Sequence, residues 1–407
     1  MSWDYTTIGE HCTVTSSKRF HLSDRSTTGV PFYCSKEIIQ KVNGEEVSDC
    51  DYIKEESYEN VRKQYGVPKS GDLLITTRGT YGIPYIYRDT DRFYFADGNL
   101  TWLKDFDDEL LVKYLYYWIL SYEGQKKIDA IAKGTAQKAV PIASIKLLQL
   151  PLPPVDVQER IAQYLSAYDD LIENNQKQIK LLEEAAQRLY KEWFVDLRFP
   201  GYENTKIVDG VPEGWEKDRA DSFFDITIGK TPPRAEKQWF TSGDNGIPWL
   251  SISDMGSAGV YAFFASEGLT EEAVKKHNIK IVPAGTIFVS FKLTIGRVAI
   301  ANTDMCTNEA IAHFYMKNNL LQAYAYCYLR NFEYDTLGNT SSISKAVNSK
   351  IIKAMPFVMP NNEIVSSFSQ MVSPILSEIK NRQKACLKLQ EARDRLLPKL
   401  MSGEIEV

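Results

Sequence analysis

The sequence predicts an α+β protein made of two duplicated α/β arms separated by two long antiparallel helices that form a coiled coil. Three observations predict it. First, Leu165, Tyr168, Ile172, Asn175, Ile179, Leu182, Ala186, Leu189 and Trp193 fall at alternating steps of three and four, the spacing that keeps one seam of a helix facing one partner. The pattern returns 207 residues later as Val372, Ile375, Ile379, Arg382, Cys386, Leu389, Arg393, Leu396 and Leu400. Second, the strand Leu73-Leu74-Ile75-Thr76-Thr77, the turn Arg78-Gly79-Thr80-Tyr81-Gly82 and the returning Tyr85-Ile86-Tyr87 read as a hairpin. It recurs 214 residues on as Ile287-Phe288-Val289-Ser290, Lys292-Leu293-Thr294-Ile295-Gly296 and Val298-Ala299-Ile300. Third, each half holds a polar, glycine-led loop ending in Lys-Ala-Val, at Lys138 to Val140 and at Lys345 to Val347.

In chain order, residues 1–64 are polar and aromatic with few periodic runs, so they predict only short strands and loops. The hairpin follows, then a helical patch at 110–120 with Tyr114, Tyr116, Tyr117 and Trp118, matched at 320–329 by Tyr324, Tyr326 and Tyr328. Aromatics this dense on a helix predict core rather than a stacking platform. After the polar loop comes a proline cluster, Pro151, Pro153 and Pro154, or Pro356 and Pro360, where a helix cannot continue and an extended linker is expected. The resulting plan is an arm over 1–154, a helix over 155–200, an arm over 201–360 and a helix over 361–407. Antiparallel pairing would set Leu165 against Leu400, Ala186 against Ile379 and Trp193 against Val372. The polar seam positions Asn175, Arg382 and Arg393 would then fix the register.

Composition bounds the function. A chain of 407 residues, 43% hydrophobic and 25% charged, is globular, with no apolar run of membrane length and no basic-then-apolar start. The six scattered cysteines read as reduced thiols, so a cytoplasmic location with no membrane is expected. A net charge of −5 opposes phosphate binding by the body as a whole. Lys126, Lys127, Lys133, Lys138 and Lys146 nevertheless cluster against Asp129 alone. No phosphate-binding or dinucleotide-binding glycine loop, no nucleophile elbow and no zinc motif is present. Thr231-Pro232-Pro233 and Leu152-Pro153-Pro154 lack the acid or amide that an adenine methyltransferase needs beside its prolines. His11, His21, His277 and His313 have no partner at ligand spacing and read as structural. The chain is expected to be no enzyme and to hold no metal. From the residues alone, a protein-binding scaffold with two arms and a DNA-modifying enzyme with an unrecognised site remain as alternatives.

Three stretches carry a resemblance. Residues 151–161, with Pro151-Leu-Pro-Pro154, Gln158, Glu159 and Ile161, lead into Leu182-Glu-Glu-Ala-Ala-Gln-Arg-Leu189-Tyr-Lys-Glu-Trp-Phe194 and Phe199-Pro200-Gly201. This resembles the central conserved region of the specificity (S) subunits of type I restriction-modification enzymes. Leu389-Gln-Glu-Ala-Arg393-Asp-Arg-Leu396-Leu-Pro398-Lys-Leu-Met-Ser-Gly403 is similar to their distal conserved region. Ile228-Gly-Lys230-Thr-Pro232-Pro-Arg234, followed by Ile247-Pro-Trp249-Leu-Ser251-Ile-Ser253-Asp254, looks like the opening of many of their target recognition domains. Residues 1–64 lack that Gly-Lys-Thr-Pro opening, and the distal proline segment lacks the glutamine of its central counterpart.

The resemblance implies that each arm is a target recognition domain reading one half of a bipartite site in double-stranded DNA. It implies that the helices hold the arms apart while two methyltransferase subunits, and restriction subunits beyond them, dock on the conserved regions. S-adenosylmethionine, ATP and Mg would belong to those partners, with no cofactor in this chain. The seam from Leu165 to Trp193 would span roughly 42 Å at ~1.5 Å per residue, beside about 34 Å for one turn of B-DNA. Base readers are expected on exposed loops: Arg78, Thr80, Tyr81, Lys133, Thr135, Gln137 and Lys138 in the first arm. In the second they are Lys230, Thr231, Arg234, Ser253, Lys292, Thr294, Asn339, Ser341, Ser342 and Lys345.

Overall fold

The computed structural model describes residues 3–134, 138–208, 210–242, 245–316, 318–338 and 347–407. Its contacts divide the chain into two units, Met1–Asn174 with Leu387–Val407, and the residues between, Asn175–Cys386.

In the first unit the hairpin strands Leu73–Thr76 and Pro84–Ile86 lie in an antiparallel sheet ordered Thr13–Thr15, Leu100–Lys104, Leu73–Thr76, Pro84–Ile86. All four residues of Leu73–Thr76 are buried, because the period of two sends its side chains to two different cores. Leu73 and Ile75 pack with Tyr114 and Trp118 of the helix Val112–Leu120, while Leu74 packs with Tyr33, Phe95 and Trp102. A second sheet runs Arg25–Ser26, Asp51–Ile53, Val30–Tyr33, Tyr94–Phe95, its last pair parallel.

The second unit repeats both sheets strand for strand. Asp225–Ile228, Ile311–Tyr315, Ile287–Ser290 and Val298–Ala301 form the larger one, extended by Tyr261–Ala262 in parallel. Phe240–Ser242, Glu267–Leu269, Ile247–Leu250 and Cys306–Thr307 form the smaller, again with a parallel last pair. Ile287 and Val289 face the core containing Tyr324 and Tyr326 of the helix Gln322–Asn331, and Phe288 faces the opposite one. The aromatic helices are therefore core, as expected.

Two expectations are corrected. Residues 1–64 hold more than short strands and loops, since Ser35–Val42 and Glu55–Gln64 are helices. The first is started by Glu37, whose carboxylate accepts from the Cys34 backbone N–H at 2.8 Å. The proline clusters are also not free linkers. Pro151 lies in Gln149–Leu152, paired with Asp4–Thr7, and Pro356 opens Pro356–Met359, paired with Glu216–Arg219. Each of these sheets has two strands, so every strand is an edge and a missing N–H can face outward. The pairing ties the start of each domain to the residues just before its long helix.

The long helices run Val155–Tyr190, followed by a wider turn over Lys191–Val195, and Asn362–Met401. Within the first unit Leu165 shares a core with Leu397 and Leu400, and Arg393 donates to Asp169 at 2.6 Å. Within the second, Ala186 shares a core with Ile379, Trp193 with Val372, and Arg382 donates to Asn175 at 3.1 Å. In both units one residue number falls as the other rises, so the helices pack antiparallel and the polar seam residues are matched. The seam is no free-standing coiled coil. Ala186, Tyr190 and Trp193 enter the same core as Trp215 and Tyr324, and Leu165 the same core as Tyr114.

Candidate nucleic-acid interface

In the first domain three segments meet at one end of the larger sheet. The turn after Leu73–Thr76 is tight because Gly82 N–H returns to the Thr76 carbonyl at 2.8 Å and Ile83 N–H to the Thr76 hydroxyl at 2.9 Å. The polar loop closes on itself through Lys133 and Ala139, each N–H bonded to the other's carbonyl at 2.8 Å. It then joins the turn: Arg78 bridges Ala139, and Val140 N–H donates to the Thr77 carbonyl at 2.9 Å. On the other side Thr77 N–H donates to the Asn99 carbonyl at 2.7 Å, whose oxygen also accepts from Ser35 at 3.1 Å. Arg78, Thr80, Lys133 and Lys138 are exposed at this junction.

The second domain builds the same junction. Gly296 N–H returns to the Ser290 carbonyl at 2.9 Å and Arg297 N–H to the Ser290 hydroxyl at 3.0 Å. Val347 N–H donates to the Phe291 carbonyl at 3.1 Å, and Phe291 N–H to the Ala310 carbonyl at 2.9 Å. Next to Ala310, Glu309 accepts the hydroxyl of Thr231. Lys230 is anchored by its N–H to the Thr307 carbonyl at 3.0 Å, while its own carbonyl accepts Trp249 Nε1 at 3.0 Å. Lys230, Arg234, Ser253 and Thr294 are exposed, and Lys292 lies 5.5 Å over the Phe291 ring.

The structure thus joins Arg78, Thr80, Lys133 and Lys138 in one domain, and Lys230, Thr231, Lys292 and Thr294 in the other. Ser253 sits on the neighbouring short helix Ile252–Ser257, reached through Arg297 donating to the Ile252 carbonyl at 2.9 Å. Tyr81 lies on the same turn, and its hydroxyl is bonded to Asp129, which raises its pKa. Thr135, Gln137, Asn339, Ser341, Ser342 and Lys345 lie outside the described residues. Of the lysine cluster, Lys127 is spent internally on Glu123 and the Gln149 carbonyl.

Sequence reasoning missed the first domain's counterpart of the Gly-Lys-Thr-Pro opening. Thr15 faces Trp102 as Thr227 faces His313, so Ser17, Lys18, Arg19 and Phe20 stand where Gly229, Lys230, Thr231 and Pro232 stand. Lys18 and Arg19 are exposed, and Arg19 pairs with Asp97 at 2.8 Å. By the same register the exposed Lys36 replaces Ser253. Only Lys18 keeps the motif's residue type, and that was the one signal available.

The remaining titratable groups suggest structural work. His11, Asp107 and Glu109 lie within 4.8 Å of one another. Both ring nitrogens of His11 are already hydrogen-bonded, to Asp107 and to Thr6 at 2.8 Å each. His313 is sandwiched between the hydroxyls of Thr227 at 3.0 Å and Thr307 at 2.7 Å, and burial pushes its pKa down to about 4. Among the described residues no helix is long and apolar enough to cross a membrane.

The same junction, exposing lysine, arginine and threonine, is thus built twice in one chain. The family model for the type I restriction modification DNA specificity domain matches residues 2–184 and 212–389, and the chain belongs to that family. It is similar to the type I restriction enzyme MjaIX specificity subunit of Methanocaldococcus jannaschii, 27% identical over 368 residues, covering 83% of this chain and 78% of that one. It is also similar to the HindI specificity subunit of Haemophilus influenzae, 24% identical over 408 residues, covering 83% and 87%. Among solved structures, the type I restriction-modification S subunit from M. genitalium matches with a TM-score of 0.58 over 98% of this chain and 96% of that one. At 15% identity that is a likeness of fold. As a member of the family the chain is a non-catalytic DNA specificity subunit with two target recognition domains, and the cofactors of the system belong to its partner subunits.

Proposed function

We propose that each domain reads one half of a bipartite target in double-stranded DNA through its loop junction, Arg78, Thr80, Lys133 and Lys138 in one and Lys230, Thr231, Arg234, Ser253, Lys292 and Thr294 in the other. Thr135, Gln137, Asn339, Ser341, Ser342 and Lys345, outside the described residues, are further candidate base readers by their sequence alone. The observation that carries this is the repetition of the junction, with the polar loop hung from the residue after the hairpin's first strand in both copies, Thr77 and Phe291. The long helices take two methyltransferase subunits, and restriction subunits join through these. Exposed apolar side chains on the first long helix, Tyr164, Leu171 and Leu181, support such docking.

The acidic body, with its net charge of −5, accords with a subunit whose partners supply much of the basic channel around the duplex. The purified chain alone is expected to bind duplex DNA weakly at physiological salt.

Single-molecule sequencing of methylated adenines in the host genome tests the reading. The expected motif is split, with an unspecified middle. Exchanging residues 1–154 for those of a relative should change one half of it alone; a change in both halves, or in neither, refutes the assignment.

A further inference from the structure

In each smaller sheet one arginine lies across an aromatic ring and reaches the carboxylate beside it. The Arg234 guanidinium carbon is 4.4 Å from the Phe240 ring centroid and 4.6 Å from that of Trp249, and Nη1 donates to both carboxylate oxygens of Glu267 at 2.8 Å. In the first domain Arg25 lies 5.4 Å over Phe32 and pairs with Asp51. The two settings are equivalent by strand register: Trp249 faces Glu267 on one side and Cys306 on the other, as Phe32 faces Asp51 and Tyr94. The arginines themselves are not equivalent in the chain. Arg25 opens the edge strand Arg25–Ser26, whereas Arg234 precedes the matching strand Phe240–Ser242. Different positions deliver a guanidinium to the same place.

We propose that Arg25 and Arg234 are guanine-reading residues, one for each half of the target; this rests on the reading that each domain recognises one half-site. A guanine presents two acceptors, O6 and N7, on its major-groove edge, and a guanidinium held in one plane meets both. The ring beneath and the carboxylate at one edge hold that plane, so little side-chain freedom is lost on binding, while the remaining N–H groups stay available. A purely structural role would contribute little, because the Arg234 side chain is 51% exposed and that of Glu267 36%, and exposed pairs are worth near zero to about 1 kcal/mol. The ring under Arg234 is also fastened to the recognition segment, through Trp249 Nε1 donating to the Lys230 carbonyl.

The test is to express the full chain, as Arg234→Lys or Arg25→Lys, with the methyltransferase subunit of its host and to map methylated sites. Lysine keeps the positive charge and loses the planar fork. Arg234→Lys should relax the requirement for one guanine in the half read by the second domain, lowering discrimination there roughly ten- to hundredfold and leaving the other half intact. Arg25→Lys should do the same in the opposite half. Where Arg234→Lys does not accumulate as folded protein, Glu267→Gln, which releases the guanidinium while keeping its neighbour's shape, should relax the same position more weakly. A motif half with no fixed guanine overturns the proposal, as does an unchanged motif methylated less at every site. If the exchange of residues 1–154 alters one half while these variants leave the motif intact, only the arginine assignment falls; if the exchange alters both halves, the two-domain reading falls with it.

Discussion

Opposite Leu74 the first domain carries Trp102, and opposite Phe288, the corresponding place in the second, stands His313. Trp102 Nε1 donates to Asp72 at 2.8 Å, and burial raises the Asp72 pKa. His313 instead takes hydroxyl partners from Thr227 and Thr307. The backbone pairing around both is the same. The duplicated scaffold therefore fixes strand register and the need for a polar partner, and leaves the side chain at its centre open to exchange.

The largest expected consequence of the difference is a loss of stability toward acid pH in the second domain, which Asp72, with its raised pKa, does not give the first. His313 has its pKa lowered from 6.5 to about 4, so the folded domain holds it neutral while the unfolded chain takes up a proton. Stability is full above about pH 6.5 and falls as pH drops toward 4, by roughly 3 kcal/mol in all. Hydrogen exchange should show Ile311–Tyr315 losing protection across that window while Leu100–Lys104 does not, and His313→Gln should remove the window.

A smaller effect separates the two recognition openings. A Cβ on Gly229 would lie 2.1 Å from the Asn308 carbonyl oxygen, so Gly229→Ala should cost about 2 kcal/mol in denaturant unfolding. Its counterpart Ser17 already has a Cβ, and its hydroxyl is buried without a partner; Ser17→Ala should be neutral or slightly stabilising.

Next comes the fifth strand of the second domain's larger sheet, Tyr261–Ala262. Gln383 accepts from Tyr261 N–H at 3.0 Å and donates to the Ala258 carbonyl at 2.9 Å. Gln383→Leu should cost about 1–2 kcal/mol and speed exchange at Tyr261. The smallest effect lies in the paired helices. Asp169 accepts from both Arg393 and Tyr117 at 2.6 Å, whereas Arg382 meets the neutral Asn175. Asp169→Asn should cost roughly 1 kcal/mol or less, shrinking further with salt, and Asn175→Asp should cost nothing at low salt.

The hairpins and long helices were legible in the sequence because their apolar periods run over many residues, as from Leu165 to Trp193. The smaller sheet of the first domain was not. Arg25–Ser26 and Tyr94–Phe95 are too short to show a period, and their pairing is set by contacts distant in sequence. Pro151 reads locally as a linker and becomes a strand only because Tyr5 is there to face it. At the candidate interface, turn residues such as Arg78 and Thr294 were found through their repetition. Lys18 and Arg19 escaped because Ser17 and Phe20 replace the glycine and proline that mark the motif elsewhere. For Tyr81, nothing in the turn announces its bond to Asp129.

The polar loops are fastened to the scaffold at Val140 and Val347 by a peptide N–H meeting a peptide carbonyl. Every residue type except proline offers that donor, and all offer that acceptor. The attachment is therefore blind to which side chains the loop carries. Point changes in the loops can therefore alter the side chains they carry while the fastening beneath stays intact.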